Sequence, residues 1–258
     1  MALSWWRALF AKKPAPPSKD RCCICGQPSG AFEASGTVPP GFSTDGVVGL
    51  GQRENDLCPS CSADSRERLL FAYVERFVRD RRPASVLHVR WREGQANWLG
   101  KLAKDNVTTV TPWREREGPV HGDTSAELLK LPFNDGAFDL IVCADVMQRV
   151  SHDRRALIEL GRVLAPSGMI VVQVPYTDDG RLTDEDSQII APEDRIARFG
   201  DKSFVRLYAL NDFRARIGMA GLETSLYDAF ADDEPRATAQ RLHPSDRLIL
   251  VGRPATGG

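Results

Sequence analysis

The sequence predicts an α/β protein built on a doubly wound, mostly parallel sheet of seven strands that ends in an antiparallel hairpin. Beyond Pro83, strand-like apolar segments alternate with helical segments, which is typical of a parallel sheet covered by helices on both faces. The stretches FDLIVCADV and GMIVVQV are almost continuously apolar, as strands buried on both faces are. A polar stretch without a helical pattern separates the last two strand segments, and this predicts the closing hairpin.

The individual elements follow from the same patterns. Predicted strands cover residues 85–89, 107–111, 138–143, 169–174, 222–228 and 246–251, with a weaker one at 118–121. Predicted helices cover residues 94–104, 125–130, 153–164 and 209–219. An earlier helix is predicted to begin at a capping Ser62 or Ser65 and to end at Pro83, which cannot continue it.

Composition restricts the class of protein. The 258 residues carry a net charge of −1, with 42% hydrophobic and 27% charged residues, which fits one large domain, or one domain with a small additional module. The near-neutral charge argues against nonspecific nucleic-acid binding. No apolar run approaches the roughly 20 residues of a membrane span, and the first residues do not form a secretory signal. These features favour a cytoplasmic location.

Residues 1–21 form a separate N-terminal segment in this interpretation. Its aromatic and apolar side chains can share one side of a short helix, and these are Trp5, Trp6, Leu9 and Phe10. The stretch PAPPSK that follows is predicted to be an extended linker. Two alternatives stay open: the helix docks on a membrane surface or a partner protein, or the segment is a frayed tail whose aromatics pack on the domain.

The cysteines predict a metal module over residues 22–61. Five of the six cysteines lie in the first quarter of the chain, and four of them form two Cys-x-x-Cys pairs: Cys22, Cys25, Cys58 and Cys61. Two such pairs supply four thiolates for a tetrahedral zinc ion in a small zinc-ribbon-like module, and a site closed by four cysteines is structural. Cys23 could replace a neighbouring ligand. The alternative is a pair of redox disulfides or unmetallated thiols, and Cys143 is predicted to be a core residue.

The stretch LKLPFNDGAFDLIVCADVMQRVSHDRRALIELGRVLAPSGMIVVQVP resembles the central region of class I S-adenosylmethionine (SAM)-dependent methyltransferases of the type 11-like group. The whole chain resembles a bacterial subgroup with an N-terminal four-cysteine zinc knuckle. Three features carry this narrower resemblance: Cys58-Pro-Ser-Cys61 followed by Arg66-Glu-Arg68, Val86-Leu87-His88, and the insert TDEDSQIIAPEDRIARFGDKSFVRLY. The resemblance implies a Rossmann-like methyltransferase domain over residues 62–258, with a lid insert at about 176–208.

The resemblance also implies where SAM binds. The implied cofactor-binding residues lie after successive strands and are His88, Val89, Gly94, Thr111, Ala144 and Asp145, with Glu127 by register or Asp123 after a longer loop. Two departures weaken this site. Arg90, Trp91 and Arg92 occupy a turn that is normally glycine-rich, and the second strand ends at Thr111 without the usual ribose-binding acid.

Four residues are candidates for acceptor binding or catalysis. Arg149 and His152 follow the fourth strand, and Arg206 and Tyr208 lie in the lid insert. The resulting hypothesis is a SAM-dependent methyltransferase with a structural zinc site, acting on a small polar molecule or a glycan-type acceptor. The alternative is a catalytically inactive pseudo-methyltransferase that serves as a scaffold or binding protein. A zinc-ribbon nucleic-acid module is disfavoured because the cysteine region lacks a basic and aromatic surface pattern.

Overall fold

A computed structural model of the chain describes residues 21–28, 32–89, 93–103, 106–111 and 128–254. Several predictions lie outside these residues: the N-terminal helix, the weak strand at 118–121, most of the helix at 125–130, and the side chains of Arg90, Trp91, Arg92, Asp123 and Glu127. They stay predictions.

Twelve strands and six helices are described. The strands are β1 Glu33–Ser35, β2 Val47–Val48, β3 Arg53–Leu57, β4 Val86–Val89, β5 Val107–Val110, β6 Phe138–Ala144, β7 Leu164–Gln173, β8 Tyr176–Thr177, β9 Asp184–Glu185, β10 Arg206–Ala209, β11 Glu223–Tyr227 and β12 Leu248–Gly252. The helices are α1 Ser65–Arg81, α2 Glu93–Ala103, α3 Asp153–Val163, α4 Pro192–Phe199, α5 Leu210–Met219 and α6 Ala229–Ala239. In the described part of the chain, no helix is both long enough and apolar enough to cross a membrane.

The main sheet has six described strands in the order β11-β12-β7-β6-β4-β5. Strands β5, β4, β6 and β7 are parallel, whereas β12 pairs antiparallel with both β7 and β11. The prediction of an α/β fold with a mostly parallel sheet and an antiparallel end is confirmed. The seventh strand was predicted outside the described residues, so the strand count stays a prediction.

The continuous apolar pattern of β6 has a direct structural cause. Ile141 and Cys143 pack in the hydrophobic cluster on one face of the sheet, and Leu140 and Val142 pack in the cluster on the other face. Successive strand residues point to opposite faces, so a strand covered on both faces must be apolar at every position. All four side chains are fully buried.

The prediction that no helix separates the last two strands was wrong. Helix α6 follows β11 directly, and the carboxylate of Asp228 caps it by accepting hydrogen bonds from the backbone N–H groups of Phe230 and Ala231. Pro235 lies inside this helix, next to a non-helical Asp233. Because the segment is polar and contains proline, its pattern resembled a loop, and the capping aspartate was its only helix signal.

Neither predicted serine caps helix α1, which begins at Ser65 itself. Asp64 is the N-cap, and its carboxylate accepts a hydrogen bond of 2.8 Å from the backbone N–H of Glu67. Asp, like Ser, satisfies an unpaired donor of the first turn. The helix ends at Arg82, which adopts a left-handed conformation before Pro83.

The module around the cysteines and the lid insert share a second, smaller sheet. Strand β2 of the module pairs antiparallel with β8 of the insert, and the sheet order is β2-β8-β10-β9. A small hydrophobic cluster lies beneath it and contains Phe42, Val47, Phe199, Phe204 and Leu207. The module therefore packs against the insert as well as against the main sheet domain.

Candidate functional site

The four predicted cysteine ligands form one compact cluster. The Sγ atoms of Cys22, Cys25, Cys58 and Cys61 all lie within 4.8 Å of one another. The distance between the sulfurs of Cys22 and Cys61 is 3.8 Å, and that between the sulfurs of Cys25 and Cys58 is 3.9 Å. Four sulfurs bound at about 2.3 Å to one zinc ion lie about 3.8 Å apart at the corners of a tetrahedron. The donor set and its spacing therefore fit zinc.

The two Cys-x-x-Cys turns have the same backbone geometry. In the first, the N–H of Gly26 donates to the carbonyl of Cys22 at 2.9 Å; in the second, the N–H of Ser62 donates to the carbonyl of Cys58 at 2.8 Å. Gly26 and Ser62 both adopt a left-handed conformation, with φ of 71° and 56°. This shared turn directs both sulfurs of a pair to the same side.

The remaining two cysteines have other environments. Cys23 is half-buried and is not part of the cluster, and burial raises the pKa of its thiol to about 12. Burial likewise raises the pKa of the Cys143 thiol to about 12, and this residue is a core residue of β6. All six cysteines are free thiols, so neither Cys-x-x-Cys pair forms a disulfide.

A cavity of about 530 Å³ lies where the module, the main sheet and the lid insert meet. Asp145 and Pro175 contribute the sheet side, since they follow the carboxyl ends of β6 and β7. The module contributes residues 34–37, 49–51, 53 and 56–57, and the insert contributes Gly200, Asp201 and Phe204. In open parallel sheets, ligands bind beyond the carboxyl ends of the strands, so this cavity lies where a substrate site is expected.

Asp145 is held at the cavity by its backbone and by Arg66. The residue has a φ of 57°, and its backbone N–H donates to the carbonyl of Gln173 at 2.7 Å. The Nη2 atom of Arg66, in the first turn of α1, donates to the Asp145 carboxylate at 2.7 Å. Burial opposes the charge on Arg66, but the nearby carboxylates, first that of Asp145, outweigh it and raise the pKa of the guanidinium.

Arg149 joins the sheet edge to the lid insert. Its Nε donates to the backbone carbonyl of Asp145 at 2.9 Å, and its Nη1 donates to the Asp201 carboxylate at 3.2 Å and to the Ser203 hydroxyl. Its guanidinium lies 4.6 Å from the ring centre of Phe204. Of the predicted catalytic residues, Arg149 therefore lines the cavity. His152 is exposed at the start of α3 and lies outside the cavity lining.

Arg206 and Tyr208 lie outside the residues that line the cavity, and their role towards the substrate stays a prediction. Tyr208 is fully buried and its hydroxyl donates to the carboxylate of Asp153 at 2.7 Å. Arg206 is buried and donates to Glu185 at 2.9 Å. Arg216 donates to both of these carboxylates. Alternating β10 side chains thus enter a buried ion-pair network, which anchors the insert to α3 and α5.

The predicted cofactor-binding residues lie along one edge of the sheet. Val89 and Ala144 are buried at the carboxyl ends of β4 and β6, and half-buried Thr111 directly follows β5. His88 is fully buried within β4. Gly94 lies in the first turn of α2. Strand β4 lies between β5 and β6, and Ala144 directly precedes Asp145, which lines the cavity.

Two parts of the site are not predicted by the sequence patterns. Arg66 belongs to the Arg-x-Arg element of the resemblance, and the structure shows that it holds Asp145. The glycines at 49 and 51 both line the cavity with a positive φ. A methyl group at Gly49 would collide with the Arg66 guanidinium. The signal available in the sequence was the pair of closely spaced glycines between the two cysteine pairs.

Comparisons with known proteins agree with the resemblance. Residues 84–172 match the family model described as a methyltransferase domain. A ubiquinone/menaquinone biosynthesis C-methyltransferase from Laribacter hongkongensis is 36% identical over 78 residues, which is 29% of this chain and 31% of that protein. The enzyme of the same description from Neisseria meningitidis serogroup B is 34% identical over 84 residues, or 31% of this chain and 33% of that protein. The chain thus spans about a third of the length of these curated relatives.

Several solved structures with a similar fold are described as methyltransferases, and one is described as a [4+2]-cyclase. A SAM-dependent methyltransferase from Mesorhizobium loti is 14% identical with a TM-score of 0.46, covering 75% of this chain and 100% of that chain. A structure described as a sarcosine dimethylglycine methyltransferase from Galdieria sulphuraria is 16% identical with a TM-score of 0.43, covering 73% and 85%. Similarity at this level carries no argument about activity. On the sequence match, residues 84–172 are similar to a methyltransferase domain.

Proposed function

We propose that this chain is a SAM-dependent methyltransferase that acts on a small polar molecule or a glycan-type acceptor. One observation carries the proposal: the cavity lies beyond the carboxyl ends of β6 and β7, and the segment that matches the methyltransferase family model, residues 84–172, contains β6 and nearly all of β7. Ligands of doubly wound sheets bind beyond this edge. The cavity is large enough for a small acceptor, because ligand pockets start at about 300 Å³.

The described residues fit a cofactor beside this cavity. Val89 lies opposite Val110 on one side and Cys143 on the other, so a ligand bound along β4 and β5 adjoins Asp145. Val89, Thr111 and Ala144 would hold it, and Thr111 offers a hydroxyl in place of a carboxylate. When bound, SAM supplies an activated methyl group. We expect weaker binding of its ribose than an acid at position 111 would give, because a carboxylate accepts two hydrogen bonds from a diol.

The charges of the cavity favour an uncharged polar acceptor. All three arginines of the lining form ion pairs with aspartates at N···O distances of 2.6–3.2 Å. The pairs are Arg53–Asp246, Arg66–Asp145 and Arg149–Asp201. A charged acceptor would need to separate one of these pairs, which is costly where the partners are partly buried. Hydroxyl groups both donate and accept hydrogen bonds, so a polyhydroxylated acceptor can contact paired charges without separating them.

The chain's own residues contribute mainly by orienting the acceptor. Methyl transfer is an in-line displacement, and correct orientation of the two reactants supplies much of its acceleration. Arg149 has donors at the cavity, and Asp145 contributes a carboxylate that Arg66 holds in place. The insert packs over these residues through Asp201 and Phe204, which restricts the access of water to the acceptor.

We propose a structural zinc ion for the cysteine cluster. Four cysteine sulfurs at tetrahedral spacing leave no open position for a substrate. This assignment predicts about one equivalent of zinc in the purified protein by elemental analysis, and loss of that zinc in the Cys58→Ser, Cys61→Ser double variant. Unchanged metal content in the double variant would refute this ligand set.

Calorimetry with SAM and S-adenosylhomocysteine on the full chain tests the proposed activity. We expect saturable binding of both, followed by transfer of a labelled methyl group to a neutral polyhydroxylated acceptor from a panel that also contains anionic acceptors. Arg149→Met should reduce transfer at least tenfold, whereas Arg154→Met, on the exposed side of α3, should leave it unchanged. Absence of binding at millimolar ligand would overturn the proposal in favour of the inactive scaffold.

A further inference from the structure

We infer that the four-cysteine metal site controls the acceptor cavity and not the cofactor site. The inference rests on the proposed function for the identity of the two sites. More than half of the residues that line the cavity lie between Cys25 and Cys58, at positions 34–37, 49–51, 53 and 56–57. A ligand in the cavity therefore contacts mainly a loop whose two ends are fixed by the cysteine cluster.

The cysteine cluster lies at the base of this loop. Strand β3 ends at Leu57, directly before Cys58, and Leu57 lies opposite Glu33 in the β1–β3 pair. The loop's own core at this base consists of Cys22, Phe32 and Cys58, with Ile24 and Cys25 packed against it. Two of the three buried members of this core, Cys22 and Cys58, are proposed zinc ligands, so a bound ion would close it.

The loop has too little regular structure to stay ordered by itself. Between Cys25 and Cys58, its strands have three, two and five residues. Fixing the backbone of each residue costs conformational entropy, and the small core at the base of the loop offsets only part of this cost. Phe42 and Val47 of the loop pack on the insert, and binding of a structural zinc ion, which supplies most of the folding free energy in small zinc domains, would hold the base.

The glycines of the loop show how closely its two arms meet at the cavity. A methyl group at Gly36 would collide with the carbonyl oxygen of Gly51, and one at Gly49 would collide with Arg66. The first contact joins the arm after β1 to the arm before β3. The second joins the loop to the arginine that holds Asp145. The shape of the acceptor cavity therefore depends on the position of the loop.

The part of the main sheet where we place the cofactor, along β4, is supported by the main hydrophobic cores and not by the cysteine cluster. Leu87 and Val89 of β4 pack in the main hydrophobic core, together with Ile141 of β6. Val86 and Leu140 pack in the core on the opposite face. These strands are paired along their length within the main sheet. Loss of the metal leaves this support in place, so the two sites should respond differently to metal removal.

Hydrogen exchange with and without zinc, combined with S-adenosylhomocysteine calorimetry, tests this separation. Chelation of zinc from the full chain should accelerate amide exchange at least tenfold in residues 32–57. Exchange in β6 and β7 should stay unchanged, and the dissociation constant for S-adenosylhomocysteine should change less than threefold. Unchanged exchange in residues 32–57 would overturn the inference. Faster exchange in β6 and β7, together with loss of S-adenosylhomocysteine binding, would also overturn it.

Two variants keep the test informative if metal-free protein aggregates. Gly36→Ala should retain one equivalent of zinc and full S-adenosylhomocysteine affinity but accelerate exchange in residues 49–53, because the arms of the loop are forced apart. Cys23→Ser, next to a ligand but outside the cluster, should match the wild type in both measurements. If zinc-loaded protein binds no S-adenosylhomocysteine, the proposed function fails, while the exchange data still decide whether the metal orders the loop.

Discussion

Replacing Arg68 with methionine removes the most extensively bonded buried side chain at the junction of the module and the sheet domain. Arg68 is 1% exposed. Its guanidinium donates to the carboxylate and the carbonyl of Asp56 and to the carbonyls of Ala63, Gln240 and Arg241. Methionine retains much of the apolar volume and loses the charge and every donor.

The expected loss of stability is about 3–5 kcal/mol, the usual cost of removing one partner from a buried ion pair. Counting each orphaned acceptor separately at about 1–3 kcal/mol would approach the whole stability of a typical protein. That sum is too large, because the freed carbonyls can relax towards water. At about 2–4 °C per kcal/mol for a chain of this size, the melting temperature should fall by about 6–20 °C.

Thermal and denaturant unfolding measure this loss directly. Arg79→Met, on the same helix, is the matched control, because Arg79 is 40% exposed and pairs only with its neighbour Asp80 among the ion pairs described. The control should change the unfolding free energy by less than about 0.5 kcal/mol. If the Arg68 and Arg79 variants lose the same free energy, the assignment of Arg68 as the clamp between module and domain is wrong.

Three further predictions concern other parts of the fold. Ser62→Gly should raise the free energy of unfolding by about 0.5–1 kcal/mol, and Gly26→Ala should lower it by about 1 kcal/mol, since both residues have a left-handed backbone conformation. Equal effects of the two substitutions would contradict the shared turn geometry. Arg216 and Arg206 lower the pKa of Glu185 to about 2, so its stabilising charge is present above about pH 4.3 and is lost as the pH falls towards 2. The melting temperature of Glu185→Gln should therefore depend less on pH between about pH 5 and 3 than that of the wild type. An unchanged pH dependence would count against the ion pairs. Tyr208→Phe should lower the free energy of unfolding by about 1–2 kcal/mol and leave the affinity for S-adenosylhomocysteine, measured by calorimetry, unchanged. A large loss of affinity would indicate that Tyr208 contributes to the site.

The main sheet was predictable because burial of a strand on both faces requires a continuous run of apolar residues, which is visible in the sequence. Strand β6 is apolar at nearly every position since its side chains enter two cores, and that pattern is visible without any partner. Helix α6 has no such apolar pattern, because few of its residues are buried. Its capping by Asp228 is local, but aspartate is equally common in the loops that this polar segment resembled.

The cavity was less predictable because its contacts join distant segments. Cysteine spacing predicted the cluster, since each pair is local and thiolates have few other reasons to recur at that spacing. In contrast, Arg66 is 79 positions from Asp145, and nothing in either neighbourhood indicates the other. Tyr208 and Arg206 were predicted as site residues from residue type and position in the insert, and the fold places both in an ion-pair network with Asp153 and Glu185.

The pairing of β2 with β8 has a consequence for the order of folding. Val47 and Thr177 are partners across this small sheet although they are roughly 130 residues apart, and closing so long a loop is entropically expensive until the intervening chain is compact. We therefore expect the parallel strands β4 to β7, which lie between them, to pair before β2 and β8 do. The cavity, which is lined by the loop around β2 and by the insert, should then form after the parallel strands that it adjoins.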